Sequence, residues 1–169
     1  FGLDEAWLDV TGCPGTEGGA VRLADALRRR VREEIGVTVS VGVSFNKPFA
    51  KLGSDMKKPD AVTEITPESF RIQVWPLPAS ELLYVGRATA EKLRRYGVHT
   101  IGDLAQNDPE FLKRLLGING ERLWVYANGL DNSRVMPCDY EPPIKSIGHG
   151  ITCTSDLLSR EEVYHVLME

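Results

Sequence analysis

Long apolar runs are absent: no stretch approaches the roughly 18 consecutive apolar residues of a membrane-crossing helix, so no such span is expected. The start carries no signal-peptide pattern. Cysteine is scarce. Cys13, Cys138 and Cys153 are odd in number, far apart and without metal-ligand spacing. That argues against a disulfide framework and a structural zinc, and is expected of reduced thiols in a cytoplasmic protein. His99, His149 and His165 share no spacing and read as solvated or core residues. A basic excess is lacking too. The net charge is −4, so bulk charge gives no hint of nucleic acid, and any such site must come from local clustering. What is present is a 42% hydrophobic content in 169 residues, enough for one ordinary domain or two small ones.

The first 75 residues alternate strand and helix patterns. Ala6, Leu8 and Val10 share one parity and predict a half-buried strand over 3–10. "CPGTEGG" is loop. Val21, Ala24, Leu27, Val31 and Ile35 then recur at helical spacing, with Gly36 as the stop. "VTVSVGVS" predicts a strand over 37–44. Asn46 as cap and Pro48 in the first turn open a helix over 46–56. A short strand follows at 61–65, and Thr66-Pro67 starts another helix. Two prolines in "VWPLPAS" mark a boundary. Residues 80 to 130 read as short helices separated by glycines. Residues 131–145 carry three prolines and no period, and read as a linker. Strand character resumes over 146–156, and Ser159 with Glu162 caps a last helix. Trp7, Trp75 and Trp124 are expected in the core. Both ends run through predicted elements, so the chain is expected to be a fragment of a longer protein.

Three motifs carry chemistry. Asp4 and Glu5 are adjacent, and neighbours in a strand point to opposite faces. At a turn or bulge, which Gly2 permits, they can converge and offer hard oxygen donors to Mg2+; a solvated hairpin tip with two acids is the plain alternative. In "VGVSFNKPFAKLGSDMKKPDA", Lys47 and Lys51 share a helix face and Lys57-Lys58 follow in a loop. These are either a triphosphate cradle or an ordinary solvated face. In "LLYVGRATAEKLRRYGVHTIGDLAQ", a short helix, a turn at Gly86 and a second helix outline a helix-hairpin-helix. The N–H groups of Arg87, Ala88 and Thr89 would face outward to bind a DNA phosphate without reading bases. Arg87, Lys92, Arg94 and Arg95 against the single acid Glu91 make a local basic patch. "LLGINGERLWVYANGLD" repeats the theme with a Gly-x-x-Gly turn.

Taken in order, these segments resemble the Y-family, lesion-bypass DNA polymerases of the bacterial DinB-like type. "LDEAWLDVTG" is similar to that family's catalytic Asp-Glu palm motif, and "SVGVSFNKPFAKLGSDMKKPDA" to its next palm motif. "LYVGRATAEKLRRYGVHTIGDLA" resembles the thumb hairpin, "LLGINGERLWVYANGLDNSRV" the end of the thumb, and "IKSIGHG" the entry to the little finger. The resemblance implies an α+β fold. It comprises a partial palm over residues 1–76, with a mixed or antiparallel sheet and helices on one face. An all-helical helix-hairpin-helix thumb over 77–130, a linker over 131–145 and a little-finger stub over 146–169 follow.

The same resemblance implies DNA-directed DNA polymerase activity in the parent protein, as two-metal nucleotidyl transfer onto a primer 3′-hydroxyl. Asp4 and Glu5 would be catalytic and metal (Mg2+) ligands. Lys58 would contact the triphosphate of the incoming deoxynucleotide, with Lys51 nearby. Gly86, Arg87, Ala88 and Thr89 would hold primer phosphates, and Lys145 and Ser146 would begin a strand on the template backbone. The implied partners are primer–template DNA and the nucleotide; a sliding clamp, through sequence beyond this chain, stays open. Two positions depart from the family pattern: Gly2 stands where serine is usual, and Tyr84 where glycine is usual. The family's first metal-binding aspartate and its fingers would lie before Phe1, so the chain alone is expected to be inactive. Two other readings stay open: a non-catalytic helix-hairpin-helix DNA-binding module, and a palm-type nucleotide cyclase.

Overall fold

The computed structural model describes residues 4–13, 19–141, 143–148 and 150–168. The chain divides into two units, Phe1–Val135 and Met136–Glu169.

In the first unit, α1 (Ala20–Ile35) ends where Gly36 turns left-handed at φ 81° and donates its N–H to Arg32 O. Its predicted apolar stripe is only partly covered: Ala24 is buried, whereas Ile35 is 69% exposed. Strands β1 (Val41–Ser44) and β2 (Val62–Ile65) flank α2 (Lys47–Met56). They pair in parallel, Val41 opposite Val62 and Ser44 opposite Ile65, as a strand–helix–strand crossover requires. The expected mixed or antiparallel sheet is therefore corrected: among the described residues the sheet is two parallel strands. The predicted strand at 37–44 shrinks to its last four residues, the ones that find ladder partners in β2. The predicted strand at 3–10 does not form over residues 4–10, where no ladder partner accompanies the alternating pattern.

Asn46 caps α2, its Oδ1 accepting the Phe49 N–H at 2.9 Å, and Pro48 sits in the first turn as predicted. The helix lies very close to β1. An added Cβ at Gly42 would fall 1.8 Å from the carbonyl oxygen of Ala50, and one at Gly53 3.4 Å from the Ile65 side chain. Helix α1 meets the sheet beside Val62, with which Val21 and Asp25 line a cleft. The Val62 side chain has the parity opposite to Ile65, so the expected single helical face does not describe this sheet.

Thr66 and Ser69 exchange hydrogen bonds in the turn before α3 (Phe70–Gln73), so that helix starts later than predicted. A 3-10 turn at Ala79–Glu81 leads to α4 (Arg87–Arg95), α5 (Ile101–Gln106), α6 (Pro109–Leu116) and α7 (Ile118–Ala127). Gly120 lets α7 lie against α6, since a Cβ there would sit 2.0 Å from Leu112 O. One apolar core runs from Phe49, Leu52 and Ile65 through Leu93 and Leu104 to Leu123 and Ala127. Each fully buried side chain of this size contributes about 1.5–3 kcal/mol.

Helix α5 carries a complete capping box. Asp103 Nα donates to Thr100 Oγ1, while the Asp103 carboxylate accepts the N–H groups of Thr100 at 2.8 Å and His99 at 3.0 Å. Those backbone donors hold the Asp103 carboxyl below its ordinary 3.8. A carboxyl depressed in the folded state stabilises above its unfolded pKa and loses that contribution as pH falls through the folded value. Asp103→Asn is therefore expected to lower stability by about 1 kcal/mol at pH 7. Between pH 7 and 3 its melting temperature should fall less than that of the parent chain; parallel decline in both would remove the capping carboxylate from the account.

Among the described residues of the second unit only α8 (Arg160–Met168) is regular, with Glu162 Oε2 accepting the Ser159 N–H and Ser159 Oγ accepting that of Glu162. The predicted strand over 146–156 does not form among its described residues. Its side chains there, such as Ile147 and Ile151, stay exposed, and no partner strand supplies a ladder.

Candidate functional site

The segment after Asp4 is held without sheet pairing. Trp7 Nε1 donates to the carbonyl of Lys47 at 3.1 Å, and Lys47 Nζ lies 5.7 Å from the Trp7 ring centroid. This pins residues 4–10 against the start of α2. Glu5 then reaches Lys51, one turn further along, at 2.9 Å. Lys51 also bonds Asp55 at 2.6 Å, and the other oxygen of Asp55 takes Lys58 at 2.7 Å. The result is an alternating chain of charges, Glu5–Lys51–Asp55–Lys58, connecting the N-terminal acids to the lysine loop. Burial alone would lower the Lys51 ammonium, but Asp55 and Glu5 outweigh it and raise it above its ordinary 10.5. Burial would raise Asp55, and its two lysines more than reverse that.

The predicted acid–lysine grouping is thus half assembled. Glu5, Lys51 and Lys58 are brought together; Asp4 is exposed beside them. Gly2 lies outside the described residues. Asp55 was not singled out in the sequence, although its spacing to Lys51 (i,i+4) and Lys58 (i,i+3) is that of paired charges on a helix. Arg28 and Arg32 were likewise unremarked. Both reach Asp60, at 2.6 and 2.9 Å, and tie α1 to the loop that follows Lys58.

The donor chemistry suits a hard divalent cation, since Asp4 and Glu5 offer carboxylate oxygens and the Lys51 ammonium already stands as a cation on Glu5. The number of donors is short of a full site: among the described residues no three acids, histidines or cysteines gather.

A second feature is the start of α4. Gly86 is its N-cap, with no side chain capping it, so the first-turn N–H groups of Arg87, Ala88 and Thr89 have no partner within the helix. Gly86, Arg87 and Ala88 are exposed and Thr89 is half-buried. Arg87 leans on Glu91 at 3.2 Å with 93% of its side chain exposed. Lys92 is drawn off to the Leu115 carbonyl at 2.6 Å. The tight turn expected at Gly86 lies elsewhere. Gly86 is instead ordinary extended backbone, φ −75° and ψ 173°, and the left-handed residue is Tyr84 at φ 69°. Tyr84 is therefore in the conformation glycine favours, with its ring 6.2 Å from that of Tyr126. In the Gly-x-x-Gly of the second hairpin, Gly117 has φ 68° and Gly120 serves helix packing.

Lys145 and Ser146 are exposed in the second unit, outside any strand. Trp75 donates to Ala127 O at 3.1 Å and Trp124 packs on the core, as expected. His149 lies outside the described residues. No helix among the described residues is long and apolar enough to cross a membrane.

Comparison with known proteins fits this arrangement. Residues 1–55 match the impB/mucB/samB family (IMS). The chain is 55% identical over 163 residues to DNA polymerase IV of Acetivibrio thermocellus, covering 96% of this chain and 41% of that protein. It is 41% identical over 169 residues to DNA polymerase IV of Moorella thermoacetica, covering 100% of this chain and 42% of the relative. The chain thus spans about two fifths of the length of these curated relatives. Among solved structures, a Dbh–Dpo4 chimera described as a Y-family DNA polymerase superposes with a TM-score of 0.68 at 26% identity, covering 76% of this chain and 38% of that one. DinB from Sulfolobus solfataricus gives 0.64 at 25% identity, covering 76% and 38%. The chain is thus similar over residues 1–55 to the impB/mucB/samB family, and over most of its length to part of DNA polymerase IV and of Y-family DNA polymerases.

Proposed function

We propose that this chain is the part of a lesion-bypass DNA polymerase that brings catalytic carboxylates, triphosphate-binding lysines and a duplex-gripping helix into one polypeptide. The observation that carries the reading is the ion-paired chain from Glu5 to Lys58, which sets an acidic segment beside a lysine 53 residues away. In this reading residues 1–76 act as the later part of the palm and 77–130 as the thumb. Residues 131–145 are the tether and 146–169 the start of the little finger, with Lys145 and Ser146 on template backbone.

Asp4 and Glu5 would hold Mg2+, two ions per complete site, with a further carboxylate from polypeptide outside the described residues. The chemistry such ions would supply is a lowered pKa for the primer 3′-hydroxyl and charge balance for the departing pyrophosphate. Lys58, with Lys51, would neutralise the β- and γ-phosphates of the nucleotide and orient its α-phosphate toward the hydroxyl. Arg87, Ala88 and Thr89 would present their N–H groups to a primer phosphate, with Gly86 leaving room for its approach. These contacts carry no base information, which suits an enzyme that must follow any sequence and tolerate damaged templates. The 169 residues alone are inactive on this account, and the parent works on DNA in the cytoplasm.

Duplex binding tests the reading against a nucleotide cyclase, which has no use for a backbone-gripping helix. The chain should bind primer–template DNA weakly, with affinity falling about tenfold or more between 50 and 200 mM salt. Arg87→Glu should weaken binding about tenfold and reduce the salt slope by about one, uniformly across sequences. A flat salt response, or unchanged affinity in Arg87→Glu, would count against the α4 grip.

A further inference from the structure

We infer that Lys51 is an internal counter-ion that competes with the divalent cation for Glu5, and that Asp55 is the seat to which Lys51 retreats when the cation binds. The inference rests on the reading of Asp4 and Glu5 as metal ligands, and concerns two residues to which that reading gives no such role.

The geometry is a single ammonium between two carboxylates. Lys51 Nζ lies 2.9 Å from Glu5 Oε1 and 2.6 Å from Asp55 Oδ2. Only 17% of the Lys51 side chain is exposed, so water is a limited substitute partner for it. A cation arriving at Glu5 meets a carboxylate that is already neutralised and must displace the ammonium. With Glu5 as sole partner, Lys51 would then be left as a partly buried, unpaired charge, a costly state. Asp55 removes that difficulty. It is four residues along the same helix and already bonded, so Lys51 keeps its nearer carboxylate while giving up the further one. Asp55 is in turn anchored by Lys58 at 2.7 Å through its other oxygen. Displacement at Glu5 therefore leaves Asp55 with two ammonium groups, and one of them is surplus to its charge. That surplus positive charge arises beside the cation, where an anionic ligand such as a polyphosphate would be wanted. Asp55 is a positioning residue in this scheme: it acts through Lys51 and touches neither metal nor nucleotide.

The path through Lys51 makes a non-additive prediction that a merely structural role for Asp55 would not. Mn2+ binding to the chain, followed by loss of the free aquo-ion EPR signal, is the readout, and circular dichroism verifies that each variant is folded. Lys51→Met should bind Mn2+ about tenfold more tightly than the parent, because Glu5 loses its resident cation. Asp55→Asn should bind about fivefold more weakly, because Lys51 is then held by Glu5 alone. In the Lys51→Met background, Asp55→Asn should change the affinity by no more than about twofold. Lys51→Gln repeats the first arm should methionine perturb packing. If neither Lys51 substitution tightens Mn2+ while Asp4→Ala abolishes binding, the counter-ion inference is wrong and the metal-ligand reading stands. If Asp4→Ala leaves Mn2+ binding intact, the metal-ligand reading itself fails. Equal weakening by Asp55→Asn in both backgrounds overturns the route through Lys51. Should the parent bind no measurable Mn2+, the inference requires that Lys51→Met gain binding, and absence of that gain overturns it.

Discussion

Gly42→Ala should cost the first unit about 3 kcal/mol or more, from a single added methyl group. A Cβ there would lie 1.8 Å from Ala50 O and 2.6 Å from Ser54 N. Both atoms are backbone of α2, so no side-chain rotation relieves the clash. Either β1 or α2 must move, and moving α2 displaces Lys51 and Asp55 together, breaking the reach to Glu5. The parent and variant should differ in urea midpoint with little change in slope. Gly86→Ala is the matched control. Nothing lies within 4 Å of a Cβ at that position and its φ is −75°, so its stability should stay within about 0.5 kcal/mol of the parent. A Gly42→Ala variant as stable as the control would mean that α2 does not rest on β1 at this distance.

Gly42 also shows why parts of the molecule were legible in sequence and parts were not. Rules that act over one helical turn succeeded. Asn46 with Pro48 announced the start of α2, and the short segment "AVTEI" announced β2. Rules that need a distant partner failed. Ala6, Leu8 and Val10 alternate as a strand should, but a strand exists only with a ladder, and residues 4–10 find none. The same holds over 146–156. A glycine in a strand pattern gives no sign of whether a helix lies on it, so Gly42 looked like any other glycine. Gly86 was credited with a turn that Tyr84 makes, because a tyrosine at φ 69° is contrary to local preference and is held there by its surroundings. At the candidate site, Glu5, Lys51 and Lys58 were legible as chemistry. Their connection through Asp55 depends on Trp7 fastening the N-terminal segment to Lys47, a contact between residues 40 apart.

Phe49→Ala should destabilise the first unit by about 3–5 kcal/mol, and the loss should be felt as far away as α7. Phe49 is fully buried, with ring centroids of Phe70 at 5.4 Å and Phe45 at 5.7 Å. Its ring is also 3.0 Å from where a Cβ on Gly129 would stand, beyond the end of α7. Neighbouring hydrogen bonds cross the same boundary: Asn46 Nδ2 donates to Gly129 O at 3.2 Å, and Trp75 Nε1 to Ala127 O at 3.1 Å. A cavity at position 49 therefore loosens contacts on both sides of residue 76, where the proposed palm gives way to the proposed thumb. Since one core serves both, they should unfold together. Far-UV circular dichroism and tryptophan fluorescence should give one coincident urea transition, moved to a lower midpoint in the variant. Hydrogen exchange in α5 and α7 should accelerate along with that in α2. Retained protection in α5 and α7, with α2 alone exchanging faster, would mean that the two halves fold independently. Under the expected outcome the palm–thumb division is one of function only: the helix proposed to grip DNA and the acids proposed to hold metal are oriented by the same buried phenylalanine.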